Sequence, residues 1–247
     1  MIAEIRVFAL EGIPEVEAGD DLAALIADAA ERAGGLRDKD VVVVAQKIVS
    51  KAEDRVVRLD EIEPSDRALE LAGDADPRHV EMILRETARV VRSRPPLVIS
   101  ETAHGFVCAS AGVDASNAKG EGTLVLLPLD PDASARSIRE GLGQRTGRHV
   151  AVIVSDSFGR PWRQGTTDVA LGVSGLSPLL DLRGVRDRTG YELQGTQIAA
   201  ADELAGAAEL VLGKTRGLPA AVVRGYDATG EGSGRDLLMP PERDLFR

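Results

Sequence analysis

Two hydrophobic periods alternate along the chain. Residues 2–10 alternate apolar and polar side chains as a half-buried strand does, and residues 20–33 repeat apolar positions at helical spacing behind Asp20 or Asp21 as N-cap. Residues 40–46 are a short β-branched run, a buried strand that ends at Lys47. Two helical signals lie between Ser65 and Val91; the second carries Pro77 near its first turn and sets Val80, Ile83, Leu84, Thr87 and Val91 on one face. Residues 97–100 and 105–109 read as paired strands around Thr102-Ala103-His104-Gly105, and residues 111–117 as a loop. A strand over 123–127, a helix over 132–145 and a buried strand over 150–154 follow. The pattern then predicts a glycine-broken helix over 167–174, a helix over 198–212 stopped by Gly213, and a strand over 219–223 running into Arg224-Gly225. Hairpin signals mixed among helices at irregular spacing favour an α+β fold over a regular doubly wound sheet. No repeat, low-complexity tract or linker divides the chain, so residues 1–247 read as one domain, with 230–234 as a surface loop.

Composition narrows the function classes. A net charge of −10 disfavours nucleic acid or an anionic membrane as partner, although small anions remain acceptable where cations are concentrated. Only five residues are lysine, and Lys47 and Lys51 flank Ser50 while Lys214 follows Gly213, so a residue the chain otherwise replaces with arginine recurs where chemistry is expected. The single cysteine, Cys108, forms no internal disulfide and sits in an apolar strand pattern that predicts a buried, inert thiol. His79, His104 and His149 lack metal-ligand spacing, which argues against zinc. With no secretory leader and no apolar run of membrane-spanning length, a soluble cytoplasmic protein is expected.

The densest chemistry is Ser155-Asp156-Ser157-Phe158-Gly159-Arg160-Pro161-Trp162-Arg163-Gln164-Gly165, a loop expected at the mouth of the strand over 150–154. Asp156 suits a hard cation, and Arg160 and Arg163 can fork onto phosphate or carboxylate oxygens. Gly112-Val113-Asp114-Ala115-Ser116-Asn117 offers a carboxylate, a hydroxyl and an amide, which is also the composition of an Asx turn. Asp202-Glu203 can be explained by the helix dipole alone, and the lysines of 47–55 by a charged strand end. No Walker loop, dinucleotide fingerprint or nucleophile elbow is present. Together the acidic loops, the Lys-Ser-Lys stretch and the Arg-Pro-Trp-Arg segment look like a site that joins metal to phosphate.

At these residues the chain resembles the F420-0:gamma-glutamyl ligase family, enzymes that add glutamates to the deazaflavin coenzyme F420. The resemblance runs through Leu10-Glu11-Gly12-Ile13-Pro14, Gln46-Lys47-Ile48-Val49-Ser50-Lys51-Ala52-Glu53, the segments 108–117 and 156–165, and Ala201-Asp202-Glu203-Leu204-Ala205 followed by Gly213-Lys214. It implies an unusual α+β fold, an intertwined homodimer, and a GTP-dependent ligase using Mg²⁺ or Mn²⁺, with K⁺ as a further candidate ion and L-glutamate and the F420 precursor as substrates. By the same resemblance Asp114, Asp156 and Ser157 match metal-ligand positions. Leu10, Glu11, Gly12, Ile13, Ser50, Lys51, Asn117, Gly213 and Lys214 match nucleotide contacts, and Asp156, Arg160, Arg163 and Lys51 are the expected catalytic groups. The likeness is greatest to the actinobacterial type, in which a nitroreductase-like flavin domain often follows; with this sequence ending at Arg247, that domain is expected in a longer or separate chain. Archaeal members tend to carry Glu or Gln where Lys214 stands, so one ion with firm protein ligands is expected, any second being held by phosphate and water. A metal-dependent phosphohydrolase and a non-catalytic nucleotide-binding module are the alternatives.

Overall fold

The computed structural model describes residues 4–245. In chain order the elements are β1 (Arg6–Ala9), α1 (Leu22–Arg32), β2 (Val41–Ala45), α2 (Gln46–Ala52), β3 (Val56–Arg58), α3 (Asp66–Ala72), α4 (Pro77–Arg85), β4 (Thr87–Arg94) and β5 (Leu97–Thr102). They continue with β6 (Val107–Ala109), β7 (Thr123–Val125), α5 (Pro131–Thr146), β8 (Ala151–Arg160), β9 (Arg163–Ser174), β10 (Leu180–Asp181), β11 (Gln197–Ile198), α6 (Ala200–Leu212) and β12 (Ala220–Arg224). The α+β expectation holds. The first two residues of the strand expected over 2–10 lie outside the described residues.

A five-stranded sheet in the order β1-β12-β2-β8-β9 forms the main lobe; β2 and β8 run parallel and every other pair antiparallel. Val42, Val44, Val152 and Val154 point to one face, beneath α1 and α5, while Val41, Val43, Ala151 and Ile153 point to the other, beneath α6. Because both faces are covered, these central strands read as unbroken apolar runs rather than alternating ones. Asp21 caps α1 by accepting from Ala24 N–H at 2.9 Å, and Asp130, with Pro131 at the first helical position, caps α5 by accepting from Ala133 N–H at 3.0 Å.

The second lobe lies between α2 and α5. There β3 pairs with β7, β4-β5-β6 form a small antiparallel sheet, and Ile62, Met82, Ile83, Val98, Leu124 and Leu126 pack into a separate core with α4. Two expectations fail here and in the main lobe. The helix begun at Pro77 stops at Arg85, and Thr87 and Val91 belong to β4, paired with β5. Residues 167–174 are strand, not helix: β9 pairs with β8 from Val152↔Ser174 to Arg160↔Arg163, so the loop expected after 154 is instead a long hairpin turning at Pro161-Trp162.

As the edge strand of the sheet, β9 leaves backbone donors unpaired by β8, and acidic side chains take them. Glu209 Oε2 accepts from Asp168 N–H at 3.0 Å, Asp202 Oδ1 from Ala170 N–H at 2.9 Å, and Asp132 Oδ1 from Val173 N–H at 2.8 Å. Asp202 and Glu209 stand two turns apart on one face of α6, matching donors two residues apart on a strand. The helix is thereby clipped to the sheet edge that bears the candidate site.

Candidate active site

The parallel pair β2 and β8 ends on one side of the sheet, the position at which open sheets holding parallel strands place ligands. A cavity of about 580 Å³ opens there. Its floor is Ala45-Gln46-Lys47 at the junction of β2 and α2 and Ser155-Asp156-Ser157 in β8; the loops at Ile13-Pro14-Glu15 and Asn117-Ala118-Lys119, joined by the Lys119–Glu17 pair, form a wall, and Gly213-Lys214 lines it beyond α6. Four of the five lysines of the sequence, Lys47, Lys51, Lys119 and Lys214, line this cavity, and among the described residues none of the 25 arginines does.

Asp114 is presented by a tight left-handed stretch in which Ser110, Ala111 and Gly112 have φ of 56°, 50° and 72°. Non-glycine residues in this region are uncommon, and only close surroundings hold them there. A Cβ on Gly112 would fall 2.7 Å from Leu127 Cγ, and Asp114 is pinned to β7 by mutual backbone hydrogen bonds with Val125 of 3.0 and 2.8 Å. The carboxylate accepts from Lys47 Nζ at 2.6 Å, Ser116 N–H at 2.7 Å and Ser116 Oγ at 2.9 Å. Burial pushes its pKa up, but Lys47 and the Ser116 donors outweigh that and the net shift is downward.

Asp156 behaves oppositely. Burial pushes its pKa up to about 7, the carboxylates of Asp168 and Asp114 add to the rise, and the Ser157 backbone N–H and Lys47 offset only part of it. Asp168 is buried and, among the described residues, makes no ion pair: Oδ2 accepts from Ser155 Oγ and Oδ1 from Ser157 Oγ, both at 2.8 Å, and Glu209 lies 3.5 Å from Ser157 Oγ. The floor therefore holds more carboxylates than nearby cations. An all-oxygen donor set short of positive charge fits a hard divalent ion, and since no three acidic, histidine or cysteine side chains among the described residues form a ready cage, phosphate oxygens would have to complete the coordination.

The remaining sequence candidates divide by position. Ile13, Lys51, Asn117, Ser157, Gly213 and Lys214 line the cavity beside Asp156, and Asp114 reaches it through Lys47. Lys51 pairs with Glu15 and Lys119 with Glu17, while Lys214 Nζ makes no ion pair among the described residues and its carbonyl accepts from Asn117 Nδ2 at 3.4 Å. Leu10 is fully buried in the main core; Glu11 and Gly12 give their carbonyls to Arg32, which fixes the segment that delivers Ile13. Ser50 is fully buried and donates to Gln46 Oε1 at 2.8 Å, leaving Gln46 Nε2 as a buried donor without a partner among the described residues, at the cavity floor. Arg160 and Arg163 face each other at the far, exposed end of the hairpin and are not brought to the cavity. Glu15, Gln46, Lys47, Lys119, Asp168 and Glu209 are charged or amide groups of the cavity that were not among the expected site residues. The rarity of lysine could have marked Lys119; Asp168 was hidden by the helix expected across it.

Cys108 lies close enough for Asp156 to add to the burial that pushes its thiol up to about 12, in agreement with an inert side chain. No helix among the described residues is long and apolar enough to cross a membrane.

The family model for F420-0:gamma-glutamyl ligase matches residues 12–225, limits that enclose every residue lining the cavity. The chain belongs to the F420-0:gamma-glutamyl ligase family. Relatives of the same family are similar over nearly their whole length. A coenzyme F420:L-glutamate ligase of Methanothermobacter thermautotrophicus is 47% identical over 250 residues, covering 98% of this chain and 99% of the relative. The protein of that name from Methanopyrus kandleri is 46% identical over 96% of this chain and 97% of its own, and that of Methanocaldococcus jannaschii 45% identical over 86% of each.

Proposed function

We propose that this chain is a GTP-dependent ligase that joins L-glutamate through γ-linkages to the deazaflavin coenzyme F420 precursor, using Mg²⁺ or Mn²⁺. Family membership supports the ligation. The observation that carries the nucleotide part is the gathering of four of the five lysines around the carboxylates of one cavity, since compact ammonium groups suit the terminal phosphates of a triphosphate.

A carboxylate does not condense with an amine unaided at neutral pH, so the acid must be activated. In the proposed sequence the terminal carboxylate of the precursor attacks the γ-phosphorus of GTP, GDP leaves, and the acyl phosphate is attacked by the amine of glutamate with loss of phosphate and a proton. Lys51 and Lys214 balance charge on the transferred phosphoryl group, and Gln46 Nε2 offers a donor to a ligand oxygen. Ile13, Asn117 and Gly213 frame the nucleotide, Leu10 and Ser50 acting through the residues they hold in place. Asp114, Asp156 and Ser157 would hold the divalent ion, which when bound neutralises the triphosphate. An ammonium cannot ligate a cation, so Lys214 supplies charge where a second ion would otherwise need a ligand. A homodimer is also proposed. Residues 178–198 hydrogen-bond mainly among themselves and expose Leu180, Val185 and Tyr191, which a second copy would cover; light scattering on the purified chain checks this.

Incubation with GTP, Mn²⁺, glutamate and the glutamate-free coenzyme, read by mass spectrometry, tests the proposal. A product heavier by a glutamyl unit is expected. GDP formed without glutamate would mark a phosphohydrolase, and nucleotide binding without turnover a binding module.

A further inference from the structure

Lys47 holds the position that a cation should occupy. Its ammonium lies 2.6 Å from Asp114 Oδ2 and 2.6 Å from Ser116 Oγ, on a side chain only 14% exposed, and it also lowers the pKa of Asp156. Among the described residues Asp114 pairs with Lys47 alone, and Asp156 makes no ion pair. Oδ1 of Asp114 accepts from Ser116 N–H, and Oδ2 accepts from both Lys47 Nζ and Ser116 Oγ, so a metal that binds through Oδ2 has to displace Lys47. A divalent ion and an ammonium cannot both sit against that oxygen without strong repulsion.

We infer that Lys47 is the resident counterion of the metal site, neutralising Asp114 in the free protein and leaving it when a divalent ion arrives. The inference rests on the proposed metal site at Asp114 and Asp156. Two consequences follow from the exchange. Lys47 competes with metal when no nucleotide is present, so the free protein binds metal weakly. Once released, the same ammonium lies at the cavity floor, where a phosphate oxygen can take it, so metal and nucleotide strengthen one another's binding.

The test is Mn²⁺ binding followed by electron paramagnetic resonance of the free ion at about pH 8, where the carboxylates are largely ionised, in wild type, Lys47→Met, Lys47→Gln, Asp114→Asn and the Lys47→Met/Asp114→Asn double variant. Without nucleotide, both Lys47 variants should bind Mn²⁺ about tenfold tighter than wild type, a gain within the range of close charge-pair couplings. Asp114→Asn should bind more weakly, and the gain from Lys47→Met should vanish in the double variant. A non-hydrolysable GTP analogue should improve Mn²⁺ binding more in wild type than in Lys47→Met. Unchanged or weaker Mn²⁺ binding by both Lys47 variants, or a gain that persists without Asp114, would overturn the inference while leaving the metal site standing. Failure of wild type and every variant to bind Mn²⁺, with or without the analogue, would overturn the metal site and this inference together.

Discussion

Asp156 shows most clearly what the site costs the fold. Its folded pKa of about 7 lies above the ordinary 3.8, set first by burial, with Asp168 and Asp114 adding to the rise and the Ser157 N–H and Lys47 opposing it. Between those values the folded state holds a proton that the unfolded state has released, so metal-free stability falls as pH rises through the window and levels off above it. Asp156→Asn cannot ionise and escapes that loss. The metal-free variant should melt above wild type at about pH 8 and match it at about pH 4, with turnover abolished because an amide coordinates hard cations poorly. A variant that melts at or below wild type at the higher pH would remove the proposed strain. Cys108, its thiol pushed up to about 12, should resist iodoacetamide in the folded protein and react once urea unfolds it; rapid labelling of the native chain would contradict its burial. At this scale the sequence was informative where a residue type is scarce or chemically marked, as with Asp114, Asp156 and Lys214. It could not show Asp168 or Glu209, because their partners, Ser155, Ser157 and the Asp168 N–H, are reached only through the hairpin and the docking of α6.

Among the elements, β9 carries the site's outer edge and is the one most sensitive to added volume. Gly172 has no room for a side chain: a Cβ would fall 2.0 Å from Pro131 O, where the start of α5 crosses the strand. Gly172→Ala should destabilise by about 1–3 kcal/mol or more, since the clash is with backbone that cannot rotate away; a urea midpoint unchanged from wild type would mean that α5 can shift freely. Asp202→Ala should cost about 1–3 kcal/mol by leaving the Ala170 N–H unsatisfied, and hydrogen exchange should show that amide losing protection. Central strands were legible because Val41 to Val44 and Val150 to Val154 are covered on both faces and read as apolar runs. The strand β9 was misread although it too is covered on both faces. Packed by α5 on one side and α6 on the other, and opened by Gly165 and Gly172, it keeps no alternation, and glycine in its run suggested a broken helix. Likewise β4 follows α4 after a single residue, so Thr87 and Val91 fall on the continuing helical period although the chain has already turned into the small sheet.

For the whole molecule, two lobes bring residues distant in sequence to one cavity: the main sheet supplies Asp156, the start of α2 Lys47, the second lobe Asp114 and Asn117, and the turn after α6 Lys214. The family was legible before the fold because its motifs are short runs of consecutive residues, whereas the layers that bring them together are set by packing that no local pattern records. The central claim is that this cavity couples GTP cleavage to glutamate ligation. The most direct measurement is the ratio of GDP released to glutamyl units added to the F420 precursor, followed in one reaction with Mn²⁺ by chromatography and mass spectrometry. One GDP and one phosphate per glutamyl unit, with neither formed by Asp156→Asn, is the predicted result. GDP accumulating at the same rate without glutamate or precursor, or glutamyl transfer without GDP, would contradict it.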